Sequence, residues 1–232
     1  MIKLSSFILA CALLTPAALL AADFEGKVRF KITTGKTAQD MDYSVKNGLA
    51  RIDVQTKETT ASVIMDPAKQ EVTVLMLEQK MYMVQSIAGK DGAAANAGID
   101  TSQTSFEKTS TTEKILGYDC TKYIAKSKDS TSEIWATEEL GAFMGTGPGG
   151  GGGFGGRRGG GSAVPQAWEA ALAGKNFFPL RVVSQNSGGK ETTRMEATAV
   201  EKKSIPDSEF APPAGFQKFD MGAMMRGMLP GR

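Results

Sequence analysis

The chain of 232 residues has no histidine. That absence removes the commonest general base, both Ser-His-Asp and Cys-His nucleophile activation, and most zinc sites. Cysteine is nearly absent too. Cys11 and Cys120 are the only two, so a Cys-x-x-Cys redox pair cannot form. Neither sign of charge dominates, with 27 Lys and Arg against 25 Asp and Glu. This balance excludes a strong electrostatic hold on nucleic acid or an anionic membrane. No Asn-x-Ser/Thr acceptor is present. Beyond the N-terminal segment, no apolar run reaches the roughly twenty residues that span a bilayer. Ser-Lys dyads and paired carboxylates remain possible in principle. The best pair, Glu138 and Glu139, falls at an expected helix start, where the partial positive charge favours carboxylates structurally. The expectation is a protein that is not an enzyme and carries no cofactor.

The N-terminus reads MIKLSSFILACALLTPAALLAA. One positive charge at Lys3, an apolar run of about fourteen residues and small residues at Ala21 and Ala22 are the layout of a cleaved secretory signal. Residues 1–22 are therefore expected to leave, with cleavage near Ala21 or Ala22. The protein is placed in the periplasm or outside the cell. A lipidated Cys11 after Ile8-Leu9-Ala10 is the alternative. It is disfavoured because few apolar residues precede the cysteine and the run continues well past it. Cleavage leaves Cys120 without an intramolecular partner. A buried, small apolar role on a strand suits it best. Residues 23–220 are enough for one domain with a real core.

Period-two alternation dominates from Phe24 onward. Phe24, Gly26, Val28, Phe30 and Ile32 share one face, and Glu25, Lys27, Arg29 and Lys31 the other. Asn47-Gly48 predicts a type I′ hairpin, because both central positions need φ > 0. Closing it pairs Lys46 with Leu49, Val45 with Ala50 and Tyr43 with Ile52. Apolar pattern and turn chemistry then agree on one register. Further strands are expected at 61–66, 71–77, 80–85, 105–110, 120–126, 131–137, 178–185 and 191–202. The hairpin at 71–85 is apolar on both faces. Its Val72, Val74, Met76, Met81 and Met83 oppose Leu75, Leu77, Tyr82 and Val84, so it is covered twice or lines a cavity. About ten short strands at this spacing predict an antiparallel sandwich or barrel.

Helix signals are few. Thr137 caps a single expected turn at Glu138–Leu140, stopped by Gly141. Ser162–Ala173 forms a better helix, with Pro165 near its start and Gly174 after it. Its apolar stripe is Val164, Trp168, Ala171 and Leu172. Residues 87–103 read as a polar loop. Residues 145–161, GTGPGGGGGFGGRRGGG, hold 12 of the 27 glycines and read as a disordered loop. Export argues against an RNA-binding role for its Arg157-Arg158. The Met-rich tail 221–232 offers Met221, Met224, Met225 and Met228 as soft-metal candidates. A frayed apolar terminus is the plainer reading.

Several strings occur in order: Phe24-Glu25-Gly26, LMLEQKMYM at 75–83, EKILGYDCTKY at 113–123, Glu133-Ile134-Trp135, FPLRV at 178–182 and IPDSEFAPPAGF at 205–216. Together they resemble the bacterial exported domain-of-unknown-function family 4412. That family is similar to the LolA and LolB lipoprotein carriers. The resemblance implies a mainly β fold: an incomplete, half-open antiparallel β-barrel of about ten strands with one or two short lid helices over an apolar cavity. It places the helix carrying Trp168 in the lid. The expected ligand is lipophilic, or an envelope lipoprotein or other envelope protein. Phe30, Tyr43, Met76, Met83, Trp135 and Trp168 are the candidate lining residues. The alternative is an interaction scaffold that uses the Gly-rich loop and the C-terminal tail. The expected state is a monomer that neither spans a membrane nor binds nucleic acid.

Overall fold

The computed structural model describes residues 24–55, 60–86, 104–144, 167–172 and 175–219. The N-terminal segment, residues 87–103, the Gly-rich tract and residues 221–232 lie outside these, as do residues 162–166 and 173 of the expected helix. Alternation translates directly into strands: β1 (Gly26–Thr34), β2 (Thr37–Lys46), β3 (Leu49–Gln55), β4 (Thr60–Asp66), β5 (Glu71–Met76) and β6 (Met81–Ser86). They are followed by β7 (Ser105–Ile115), β8 (Tyr118–Lys126), β9 (Ser130–Thr137), β10 (Phe178–Asn186), β11 (Glu191–Lys202) and β12 (Gln217–Lys218). One described α-helix, α1 (Ala167–Leu172), separates β9 from β10.

All twelve strands belong to one open sheet, in the order β12-β6-β5-β4-β3-β2-β1-β11-β10-β9-β8-β7. It is mainly β and not closed, the half-open architecture that the resemblance implies. The chain meanders outward from β1 to β6, then returns from the opposite edge, β7 to β11. The two wings meet where β1 pairs with β11. Each neighbouring pair is antiparallel except β12 beside β6, which is parallel.

The Asn47-Gly48 turn has φ values of 50° and 74°. It sets the expected register, with Tyr43 opposite Ile52 and Val45 opposite Ala50. Two details differ from the sequence pattern. Strand β7 runs to Ile115, five residues past its expected end, because a bulge between Lys108 and Thr112 interrupts its alternation. Residues 138–140 form a turn instead of a helix. The Thr137 hydroxyl accepts the Glu139 N–H at 3.2 Å, and Gly141 at φ 76° ends the turn at once.

The register sorts the side chains onto two faces. The inner face carries Val28, Phe30, Met41, Tyr43, Ala50, Ile52, Val63, Val182 and Ile134, all buried. Leu140, Phe143, Trp168 and Leu172 complete that core cluster. The outer face of β1–β6 is crossed by residues 203–219. Pro206, Pro212 and Pro213 prevent this stretch from continuing as helix or ladder. It is fastened by polar contacts. Glu25 accepts the Ile205 N–H at 2.7 Å, and Lys46 donates to the Ile205 carbonyl at 2.6 Å. Lys27 pairs with Glu209 at 3.0 Å. Arg51 donates to the Glu209 carbonyl at 3.0 Å. The stretch ends as β12, with the Phe219 N–H on the Tyr82 carbonyl at 2.7 Å. Beneath it Ser44, Ser62, Ile64 and Leu75 are buried, as is its own Ile205. On the outer side of the two-faced hairpin the strap lies over a buried Leu75, while Leu77, Tyr82 and Val84 stay half-buried.

Gly26 of β1 pairs with Val45 of β2 on one side and Lys202 of β11 on the other. A Cβ there would collide with the Glu201 carbonyl oxygen and come within 2.7 Å of the Phe24 ring. Gly26→Ala is expected to cost about 1–3 kcal/mol, the usual range for overpacking. Gly188→Ala, whose Cβ would meet only the Asn186 side chain at 3.4 Å, should be near neutral. Urea unfolding of both variants checks this; equal midpoints would contradict the close approach.

Candidate functional site

Three of the expected lining residues come together in a packed interior. Phe30 and Tyr43 are fully buried and Trp168 nearly so. Phe30 stacks on Phe178 with centroids 6.2 Å apart. Tyr43 stacks on Phe143 at 5.1 Å and meets the edge of Phe178 at 5.4 Å. Phe143 in turn stacks on Trp168 at 6.0 Å. Such pairs add to plain area burial, so this centre is filled by the chain's own rings. The Tyr43 hydroxyl accepts the Met144 N–H at 3.0 Å. Burial pushes its ionisation far above the usual range, only partly offset by that hydrogen bond. It is a neutral anchor for the segment that follows β9.

Met76 and Met83 sit elsewhere on the same face. The register aligns Val54, Ala61, Met76 and Met81 in one row across β3–β6. Ile52, Val63, Val74 and Met83 form the next row, and Ala50, Met65, Val72 and Gln85 the third. Burial fades towards the edge. Ile52, Val63, Ala50 and Met65 are buried, whereas Val54, Val74, Met76, Met81 and Met83 are half-buried. The inner face thus continues past its closed core as an apolar surface. Met81, Val54 and Val74 are members that the sequence-based lining set lacks. The signal for Met81 was present: a turn over residues 77–80 puts it directly opposite Met76.

Trp135 departs from the expected grouping. Its neighbours Ile134 and Ala136 point inward, so alternation turns Trp135 outward. There Lys122 lies 5.6 Å and Arg181 5.9 Å from its ring centre. Arg181 makes a bidentate pair with Glu113 at 2.8 and 3.0 Å and reaches Glu196 at 3.0 Å. Lys122 pairs with Glu133 at 2.8 Å. The Glu113 carboxyl is held below its ordinary range, chiefly by its hydrogen bonds to Arg181. This outer cluster is a paired ionic lattice over one aromatic ring.

The remaining candidates have structural places. Cys120 is buried, and burial pushes its thiol up to about 11, leaving little reactive thiolate. Glu139 accepts the Asp119 N–H at 3.1 Å, and Glu138 is exposed. Arg51 lies against Asp53 at 2.9–3.0 Å, with Ser62 bonded to both. A polar cavity of about 300 Å³ on the outer face is lined by Arg29, Asp40, Asp42, Asp53 and Gln55. Arg29 already pairs with Asp42 at 3.0 Å. Among the described residues, no group of three or more His, Cys, Asp or Glu could hold a metal ion. Met221, Met224, Met225 and Met228 lie outside the described residues.

Fold and site together define an open antiparallel sheet with an aromatic-filled centre and an apolar inner margin. A family model described as a domain of unknown function, DUF4412, matches residues 24–216. The chain belongs to that family. No curated protein matches it by sequence. Among solved structures it is similar to an uncharacterized conserved protein from Thermus thermophilus, with 9% identity and a TM-score of 0.51 over 86% of this chain and 91% of that one. It is more distantly similar to MucB in the Pseudomonas aeruginosa MucA/MucB complex, with 9% identity and a TM-score of 0.45 over 84% and 57%. An outer membrane lipoprotein-sorting protein domain from Vibrio parahaemolyticus has 8% identity and a TM-score of 0.31 over 82% and 89%. At such an identity the likeness to the Thermus protein shows the fold alone.

Acid should loosen the strap before the core. The Glu25 carboxyl is held below its usual 4.5, first by the Ile205 N–H, then by Ser204 and Lys46, against a desolvation that raises it. A depressed carboxyl stabilises the fold above its unfolded value, and that contribution fades as pH falls through the folded one. Exchange at the Ile205 amide, corrected for intrinsic rate, is expected to rise between about pH 5 and pH 3. In Glu25→Gln it should already be faster at neutral pH and respond less to acid. Protection at Ile205 that ignores both changes would show that Glu25 does not hold the strap.

Proposed function

We propose that this chain is an exported, non-enzymatic binding protein that seats a lipophilic ligand, such as an acyl chain, on the inner face of β5 and β6. The observation that carries this reading is the half-buried surface of Val54, Val74, Met76, Met81 and Met83, continuous with the closed core. A neighbouring apolar surface gains by being covered, at about 25 cal/mol per Å². Methionine suits an adaptable apolar site because its side chain is unbranched and polarizable. The aromatic cluster serves as the floor and the Trp168 helix as part of the lid. Residues 1–22 are the export signal, residues 23–220 the binding domain and residues 221–232 a tail. The working state is a periplasmic or extracellular monomer. No described helix is long and apolar enough to cross a membrane.

A fluorescent fatty acid titrated into the mature protein tests the reading. Met81→Asp/Met83→Asp places two charges on the proposed seat and should weaken binding by at least about tenfold, or 1.4 kcal/mol. Trp135→Ala, on the opposite face, should leave affinity unchanged. Circular dichroism checks that each variant keeps its sheet. Equal affinity in wild type and the double Asp variant would remove this seat. Absence of acyl binding, with an envelope protein captured by the full chain and lost on deleting residues 145–161, would favour the scaffold instead.

A further inference from the structure

The apolar margin of β5 and β6 is unusual in its choice of apolar residue. The inner positions of this hairpin are Val72, Val74, Met76, Met81, Met83 and Gln85. Half of them are methionine, although strand faces generally favour β-branched and aromatic side chains. Met76 and Met81 are direct cross-strand partners, which places their Cβ atoms about 4.5–5.5 Å apart. Met83 follows Met81 on the same face and lies diagonal to Met76, about 7–8 Å away. Three flexible side chains can bring their sulfurs to one point from these positions. All three are half-buried, open enough for an ion to enter and shielded enough to be partly dry. The sulfur of Met83 is already the acceptor of a long contact from the Gln85 amide at 3.8 Å.

The surrounding charge decides what kind of ion fits. No inner-face position of β3 to β6 carries a carboxylate or a cation: these are Ala50, Ile52, Val54, Ala61, Val63, Met65 and the six hairpin residues above. Hard cations need several oxygen ligands, and the Gln85 amide alone does not supply the roughly six or more that calcium takes. Soft thioethers select soft monovalent ions. We propose that Met76, Met81 and Met83 form a three-thioether site for a soft monovalent cation, Cu(I) or Ag(I). The step is coordination only; no bond breaks and no electron is transferred. This site shares its face with the acyl seat but does not depend on that reading.

Ag(I), which needs no reductant, is the first probe, followed by Cu(I) in competition with a chromophoric chelator. The mature chain should take one Ag(I) per molecule by native mass spectrometry, with the methyl resonances of Met76, Met81 and Met83 shifting together. Met→Leu keeps the apolar volume and removes the sulfur. Losing an outer-shell partner alone typically costs 10–100-fold in metal affinity, so Met76→Leu/Met81→Leu/Met83→Leu should lose at least about a hundredfold. Leu at Met221, Met224, Met225 and Met228 should change nothing. Undiminished Ag(I) binding in the hairpin variant, or its loss in the tail variant alone, would overturn the proposal. Ag(I) binding is read without fatty acid and fatty-acid binding without Ag(I), so either reading can fail while the other stands.

Discussion

Nine residue pairs between β1 and β11 hold the molecule together. Each wing is a local meander whose contacts lie between sequence neighbours. Among the strand pairings this one closes the longest chain distance, and it does so between two strands whose inner positions include Val28, Phe30, Ile32, Met195 and Ala197. Its ladder cannot shift by one residue, because a slip would turn every inner side chain to the outer face. The single register change, between Arg29 and Phe30, absorbs one extra residue of β11 and leaves Ala197 opposite the large Phe30 ring. Small against large at that point lets Phe178 stack beside Phe30, and from Phe178 the aromatic packing spreads to Tyr43, Phe143 and Trp168.

Much of this was legible in the sequence because strands and tight turns are local. Residues 43–52 announce both their turn and their register. The 71–85 hairpin announces that both faces are apolar. What stayed hidden depends on contacts made far along the chain. Nothing in Gln217-Lys218 reads as a strand; two residues become one only because the strap delivers them to the free edge of β6. The cover over the outer face was equally invisible, since it is built from a proline-rich stretch that has no periodicity. Trp135 shows a different limit. Its parity with Ile134 was readable, but a tryptophan in an apolar strand invites an inward placement. The cations of Lys122 and Arg181, which stabilise it outside, come from two other strands.

The candidate site follows from where the aromatic filling stops. Rings supplied by the segment between β9 and β10 cover the strands nearest the centre. They leave Val74, Met76, Met81 and Met83 of β5 and β6 only half-buried. Among the lining residues expected from sequence, Phe30, Tyr43 and Trp168 are packed in the core, whereas Met76 and Met83 are half-buried. That separation cannot be read from hydrophobicity, which scores both sets alike.

The outer and inner faces of the β5–β6 hairpin solve the same problem by different means. Both are apolar, and an apolar strand face must be covered. On the outer side the strap provides the cover, fastened through Glu25, Lys46, Arg51 and the Lys80 and Tyr82 carbonyls. Leu75 beneath it is fully buried. On the inner side the row from Val54 to Met81 is left half-covered by the described residues. The strap fixes the edge of the sheet with backbone hydrogen bonds from Gln217 and Phe219, and on the inner side Val72 and Val74 tie the hairpin to the core. A hairpin held in this way is ordered by folding itself. For the acyl ligand proposed above, the cost of ordering the strands would therefore not be charged to binding.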